Sequence, residues 1–181
     1  VAPPAAKYIG VDFAKAKGVD VVLTDPYTLP FEDNSVDVVV SSSCFEHSEM
    51  FWLLFLEIVR ILKPEGLFYL CAPSSCGFHR FPVDCYRFYP DSGNGLAKWG
   101  QRNGFNTAVL EHYTSWGDYV CMFLKDVSLI DQHPHRCILQ VDEFACGATY
   151  PNPDRFIFPS NMQGKKLTTY APHLFMPGFC E

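Results

Sequence analysis

The chain has 181 residues, 48% of them apolar, with a formal net charge of −6 and an isoelectric point near 5.4. That length supports one globular domain with a real core. The acidic balance argues against a nucleic-acid partner, which would need a basic face; Lys15, Lys17 and the Lys165-Lys166 pair are too sparse to form one. The eight cysteines are scattered without framework spacing. Several, such as Cys71 in YLCAP and Cys121 in YVCMF, lie in apolar runs where Cys acts as a small buried hydrophobe. With no signal peptide, reduced thiols and a cytoplasmic location are expected. The longest apolar run, MFWLLFL, stops at Glu57, far short of the roughly 20 residues that span a bilayer, so no membrane segment is expected. The chain starts at Val1 rather than Met, a hint of sequence upstream.

In chain order, YIGVDF (8–13) reads as a short strand ending on an acid, followed by VDVVL (19–23) and VDVVVSSS (36–43). Near-continuous valine runs fit strands buried on both faces of a parallel sheet. Ser48 can cap a helix over about 49–62, whose apolar residues at 51, 54, 55, 58, 61 and 62 keep the helical period. KPEG (63–66) stops it. GLFYLCAPSS (66–75) is the next strand, and an aromatic and charged loop, CGFHRFPVDCYRFYPD (76–91), follows. A helix is expected from Ser92 to about Asn103, ended by Gly104, then strands at 106–114 and 119–126 separated by SWGD. Strands alternating with helices indicate an open α/β sheet with right-handed crossovers. From about Val127 the pattern changes to scattered Pro and aromatics, so 1–126 reads as the α/β domain and 127–181 as a loop-rich extension, ordered by packing on the core or on another subunit.

In such sheets ligands lie beyond the carboxyl ends of strands. Asp12 stands at one such end, where a carboxylate can accept both hydroxyls of a ribose; the competing reading is a surface acid ending a strand. Asp25 follows the next strand and can accept from an exocyclic amine, with Leu29 and Phe31 against a ring face. An Asx-type turn at Asp-Pro is the equal alternative. Ser41, Ser42 and Ser43 end the third strand, where hydroxyls and backbone can line a ligand.

The order GVD, TDPYTLPFEDNSVDVVVSSSCFEH and EIVRILKPEGLFYLCAPS resembles the class I S-adenosylmethionine-dependent methyltransferases. The subgroup reads acid, D-x-x-x-LPF, FDVV, xxEH and L-KPGG, and the likeness covers roughly residues 8–75, more loosely to 126. It implies an open, mostly parallel Rossmann-like sheet with helices on both faces and S-adenosylmethionine as cofactor. By the resemblance Asp12 holds the ribose, Asp25 with the backbone around Tyr27 to Leu29 holds the adenine, and Ser41–Ser43 flank the methionine arm. Val36 stands for the usual Phe and Glu65 for a Gly, neither at a proposed contact. The family's first strand, helix and Gly-rich turn are missing before GVD, since only VAPPAAK precedes Tyr8. GNG at 93–95 follows DS at a helix start and cannot replace that turn. The expectation is a fragment of a longer protein or a degenerate domain, with the strands of YIGVDF and VDVVV pairing directly or leaving a gap that another chain fills.

On the acceptor side, a hydroxyl acceptor benefits from a general base. His47, after Glu46 at the end of the third strand's loop, is a candidate; so is His79 in the 76–91 loop. Glu46, Arg80, Asp84, Tyr86 and Arg87 offer a cationic clamp and hydrogen bonds to a polyol or carboxylate. The alternative is a structural loop in which Arg87 pairs with Asp84 or Asp91, and a histidine fixing the helix entry. The loop is similar to HR-x-PVD-x-x-RF-x-PD loops of bacterial methyltransferases of this type. HPHRC (133–137) with Cys146 offers soft ligands but lacks paired spacing, so no metal is expected. No G-x-S-x-G elbow supports covalent catalysis. The expected function is methyl transfer to a small polar or saccharide-like molecule at oxygen, with a homo-oligomer as an open possibility. The alternative is a methyltransferase-like binding or assembly module, and the 181 residues alone are expected to have weak or no activity.

Overall fold

The computed structural model describes residues 6–133 and the strand Cys146–Thr149. Two short strands, β1 (Val11–Asp12) and β2 (Val21–Val22), pair in parallel and form a sheet of their own. The main sheet takes β3 (Val36–Ser42), β4 (Leu62–Pro73), β5 (Ala108–Ser115), β6 (Asp118–Leu124) and β7 (Cys146–Thr149) in the order β3-β4-β6-β5-β7. β3 and β4 pair in parallel, and the remaining three pairings are antiparallel. β3, β4 and β5 therefore run one way, β6 and β7 the other. The α/β, Rossmann-like expectation holds, with the parallel pairings confined to β1–β2 and β3–β4.

The helices are α1 (Phe51–Ile61) and α2 (Ser92–Arg102). Both pack on one face. Phe55 of α1 meets Phe68 and Phe123 at centroid distances of 6.1 and 5.1 Å, and Phe68 stacks on Phe123 at 5.5 Å. A side chain at Gly93 of α2 would collide with Tyr119 and Cys121, which share a face of β6 with Phe123. Helices on both faces were expected; among the described residues only one face has them. On the opposite face of β3, Val38 is 54% and Val40 65% exposed, so this strand lacks the two-sided burial its valines suggest.

β3, β5 and β6 lie close to where the sequence places strands, whereas β1 and β2 are shorter than expected and β4 starts earlier. Trp116 and Gly117 both take positive φ, 52° and 101°, the pair that a tight two-residue hairpin between right-twisted strands requires. KPEG does not simply end a helix. β4 begins at Leu62, and a register shift carries the chain past Lys63–Gly66 before regular pairing to β3 resumes at Val38↔Leu67. The helix start also differs: Ser48 follows a 3₁₀ turn (Phe45–His47) and does not cap α1, whose N-cap is Met50 without a side-chain cap. At the other end, Lys125 Nζ donates to the Arg60 and Leu62 carbonyls and to Asn34 Oδ1, satisfying groups a helix C-terminus leaves free.

β1 does not pair with β3. β3 is the edge of the main sheet and β1 pairs only with β2, so of the two expected arrangements the gap is the one observed. β7 shows that part of the extension adds a strand to β5; the rest of 134–181, including Cys137 and most of HPHRC, lies outside the described residues.

Candidate functional site

Asp12 ends β1, exposed to solvent. Its Oδ1 accepts from the Ala14 N–H at 2.9 Å, and Oδ2 has no protein donor among the described residues. Across the gap stands the end of β3. The Cys44 thiol there is pushed up, first by loss of solvent around the sulfur although the residue as a whole is exposed. Glu46 and Asp12 add to that shift, so the ends of β1 and β3 lie within electrostatic reach of each other. Ser41 Oγ is buried, with the Cys44 thiol as its one weak neighbouring partner among the described residues. Ser43 takes the left-handed conformation, φ 51°, and its N–H donates to the Cys71 carbonyl at 3.0 Å. A serine held in that region is strained, and such strain concentrates at functional sites.

Asp25 builds an Asx turn. Oδ1 accepts from the Tyr27 N–H at 3.0 Å and Oδ2 from the Thr28 hydroxyl at 2.7 Å. These bonds, the backbone one first, lower its carboxyl from the ordinary value. Leu29 turns into the core. Its N–H donates to Glu57 Oε2 at 2.9 Å and its carbonyl accepts from Arg60 Nη2 at 2.9 Å. Phe31 packs partly against the same core, and Tyr27 Oη accepts the Met50 N–H at 3.2 Å. Of the Asp25–Phe31 stretch, then, Leu29 offers a ring its backbone surroundings rather than its side chain. Glu57 and Arg60, which hold this turn, carry no signal in the sequence beyond an i, i+3 spacing on the helix.

Glu46, His47 and His79 come together, although 32 positions separate His47 from His79 (79 − 47 = 32). One ligating atom from each lies within 4.8 Å of the others. Glu46 is 1% exposed, and neither carboxylate oxygen has a hydrogen-bond partner. Burial pushes this carboxyl up, against the pull of neighbouring His47, His79 and Arg87. His47 Nδ1 bonds to the Val83 carbonyl at 2.5 Å, and its Nε2 lies 3.5 Å from Glu46 Oε1. The His47 and His79 rings meet edge to face at 5.0 Å. His79 Nδ1 bonds to the Gly77 carbonyl at 2.9 Å.

The 76–91 loop is fastened by Arg87. Its Nε donates to the Cys76 carbonyl at 3.0 Å, Nη1 to Asp84 Oδ1 and to the Tyr86 carbonyl, and Nη2 to Asp84 Oδ2 and the Gly77 carbonyl. All five N–H groups of the guanidinium are engaged, which leaves none for an acceptor and fulfils the structural alternative for this residue. Asp84, its side chain 1% exposed, also accepts the His79 N–H at 2.7 Å. Arg87, first among several partners, holds the Asp84 carboxyl well below the usual carboxylate range. Tyr86 Oη donates to the Glu49 carbonyl at 2.9 Å. Arg80 is exposed and makes no polar contact among the described residues, so it is the loop's available cation.

Residues 3–70 match the methyltransferase domain family. Two mycobacterial relatives are similar to part of the chain. The phthiotriol/phenolphthiotriol dimycocerosates methyltransferase of Mycobacterium tuberculosis is 36% identical over 77 residues, covering 35% of this chain and 27% of its own length. Methyltransferase 1 of the same description from Mycobacterium ulcerans is 37% identical over 75 residues, covering 34% and 27%. The chain thus spans about a quarter of the length of these relatives. Among solved structures, a SAM-dependent methyltransferase from Archaeoglobus fulgidus is 16% identical, with 64% of this chain and 74% of that one covered and a TM-score of 0.48. A Burkholderia thailandensis 1,6-didemethyltoxoflavin-N1-methyltransferase with bound S-adenosylhomocysteine gives 17%, 64%, 59% and 0.46. Through residues 3–70 the chain is similar to methyltransferase domains, the class that the motif order in the sequence resembles. No helix among the described residues is long and apolar enough to cross a membrane.

Proposed function

We propose that the chain acts in S-adenosylmethionine-dependent methyl transfer to a small polar or saccharide-like acceptor, at oxygen. The observation that carries this reading is the placement of Glu46, His47 and His79 immediately beyond β3, the strand whose end the family sets beside the cofactor. Two features of the crevice fit that cofactor: the buried Ser41 Oγ, whose only near partner is the weak Cys44 thiol, and the free Oδ2 of Asp12. Asp12 would accept the ribose hydroxyls, the backbone around Tyr27–Leu29 would meet the adenine, and Ser41–Ser43 would flank the methionine arm. Bound there, the cofactor supplies an electrophilic methyl on a sulfonium.

The chain's own task is then to place the acceptor oxygen in line and exclude water. His47 and His79 each donate through Nδ1 to a backbone carbonyl. In the neutral ring this leaves Nε2 as a lone pair that can take the hydroxyl proton. Arg80 is suited to hold an acidic or hydroxylated acceptor at the loop. A binding module without catalysis is the alternative, and none of the family matches favours it.

Calorimetric titration with S-adenosylhomocysteine tests the cofactor side. Micromolar binding is expected, weakened at least about tenfold in Asp12→Ala, the loss of one charge-assisted bond pair. Unchanged affinity in the variant would remove Asp12 from the site.

A further inference from the structure

From the geometry of Glu46, His47 and His79 we infer a binding site for one divalent transition cation of the zinc type. The cation assignment rests on these three side chains alone and stands whether or not the chain transfers methyl groups. It also runs against the sequence expectation of no metal.

Three acceptor groups converge with no donor between them. Both oxygens of Glu46 are buried, with only its own backbone N–H and the His47 ring close by, a costly state for a carboxylate unless something positive joins it. A carbonyl oxygen only accepts, so the bonds from His47 to Val83 and from His79 to Gly77 put the ring hydrogen on Nδ1 in each histidine. In the neutral ring each Nε2 is then a lone pair. An imidazole whose outer nitrogen is braced by a backbone carbonyl is the usual form of a metal-binding histidine. The cation that might have filled the centre, Arg87, has every N–H engaged elsewhere.

The spacing agrees. Ligand atoms on a tetrahedron with bonds of about 2.0–2.1 Å lie roughly 3.3 Å apart. His47 Nε2 and Glu46 Oε1 are 3.5 Å apart, long for a hydrogen bond but close to that edge. The other two edges, both to His79 and each within 4.8 Å, close by a small movement of that residue, which is loop-borne and 34% exposed. Asp84 stands behind it, with Oδ2 3.7 Å from Nδ1 and accepting its backbone N–H. Two imidazoles and one carboxylate suit zinc, cobalt or iron rather than magnesium or calcium, which take oxygen ligands. Three protein ligands also leave a coordination position open, and the exposed Phe81 ring lies 6.5 Å from His47 and 6.3 Å from His79. A water or hydroxyl bound there would lose its proton more readily; the Nε2 base of the proposed function applies to the ion-free chain.

The competing occupant is a proton on Glu46, and the following experiment separates the two. The chain, stripped with a chelator, is titrated with Zn²⁺ by calorimetry and with Co²⁺ by its visible d–d absorption, without cofactor or acceptor. One ion per chain is expected, at micromolar affinity or tighter, with Mg²⁺ unable to compete. His79→Ala and Glu46→Gln should each weaken binding about tenfold or more; the first changes a half-exposed loop residue and the second is isosteric, so at least one keeps the fold. No binding to the wild-type chain overturns the site, as does affinity that both variants leave unchanged, which would place the ion on the cysteines or the HPHRC segment. S-adenosylhomocysteine binding, measured separately, tells failure here from failure of the methyltransferase reading.

Discussion

Arg60 and Arg87 each direct all five guanidinium N–H groups at protein acceptors, yet the segments they hold are anchored differently. Arg60 reaches from α1 to Glu57, to Asp33 and to the Leu29 and Phe31 carbonyls. Behind that turn Leu29 is buried in the main core. Arg87 instead bonds only within its own loop, to Asp84 and the Cys76, Gly77 and Tyr86 carbonyls. The loop's Phe78 and Phe81 are exposed, and it joins the body through Tyr86, Phe88 and the Cys85 N–H, which donates to the Glu46 carbonyl. The same device thus serves two ends. At the Asp25 turn it ties the segment to a helix of the core; in the 76–91 loop it braces the loop against itself, and Phe88 supplies the anchor in the core.

The largest effect should come from breaking the tie at the Asp25 turn. Arg60→Ala leaves Glu57 half-buried without its cation and two backbone carbonyls without donors. A loss of about 2–3 kcal/mol in urea unfolding is expected, the scale of a broken partly buried pair with its hydrogen bonds. Arg60→Lys should recover only a fraction, because an ammonium cannot reproduce the fork. A loss below about 0.5 kcal/mol would mean the turn is held by Leu29 burial alone.

Acid separates the two segments more finely. The hydrogen bonds from Arg60 lower the Glu57 carboxyl, and Arg87 lowers that of Asp84 further. A carboxylate depressed in the folded state adds stability that is complete above its unfolded value, about 3.9 for Asp and 4.3 for Glu, and is lost as pH falls through the folded value. On acidification Glu57 should therefore release the Leu29 N–H before Asp84 releases the His79 N–H. Amide chemical shifts followed from pH 6 downward read both events. Simultaneous release would show that the loop and the turn are one unit after all.

How much of this was legible in the sequence divides along the same line. The LPF turn, the acid after each short strand and the helix period were readable because they are local: a 3.6 spacing, an Asx turn, a strand ending on Asp. What could not be read depends on folding across distance. The two-sided burial inferred from VDVVV fails because Val38 and Val40 face outward on the helix-free side of β3. His47 and His79 were each visible as candidates, but their meeting over Glu46 needs the loop after β4 to return to the end of β3. The saturation of Arg87 was likewise invisible, since three of its acceptors are backbone carbonyls, which carry no residue signature.

The smallest predicted effect tests the link between turn and helix. Ser48 has the composition of a cap, but the N–H of Met50 at the start of α1 is taken by Tyr27 Oη from the Asp25 turn. That bond is 3.2 Å long and exposed, so Tyr27→Phe should cost only about 0.5 kcal/mol in urea unfolding, the low end for a lost helix cap. Its effect on S-adenosylhomocysteine binding is the more telling number. If the backbone around Tyr27 to Leu29 is what meets the adenine, that backbone is still held by Asp25 Oδ1 and by Glu57 in the variant. Affinity should then stay within about twofold, under roughly 0.4 kcal/mol. A tenfold loss would give the role to the phenol itself, and would mean that the cofactor-side turn depends on α1 through Tyr27 as well as through Arg60.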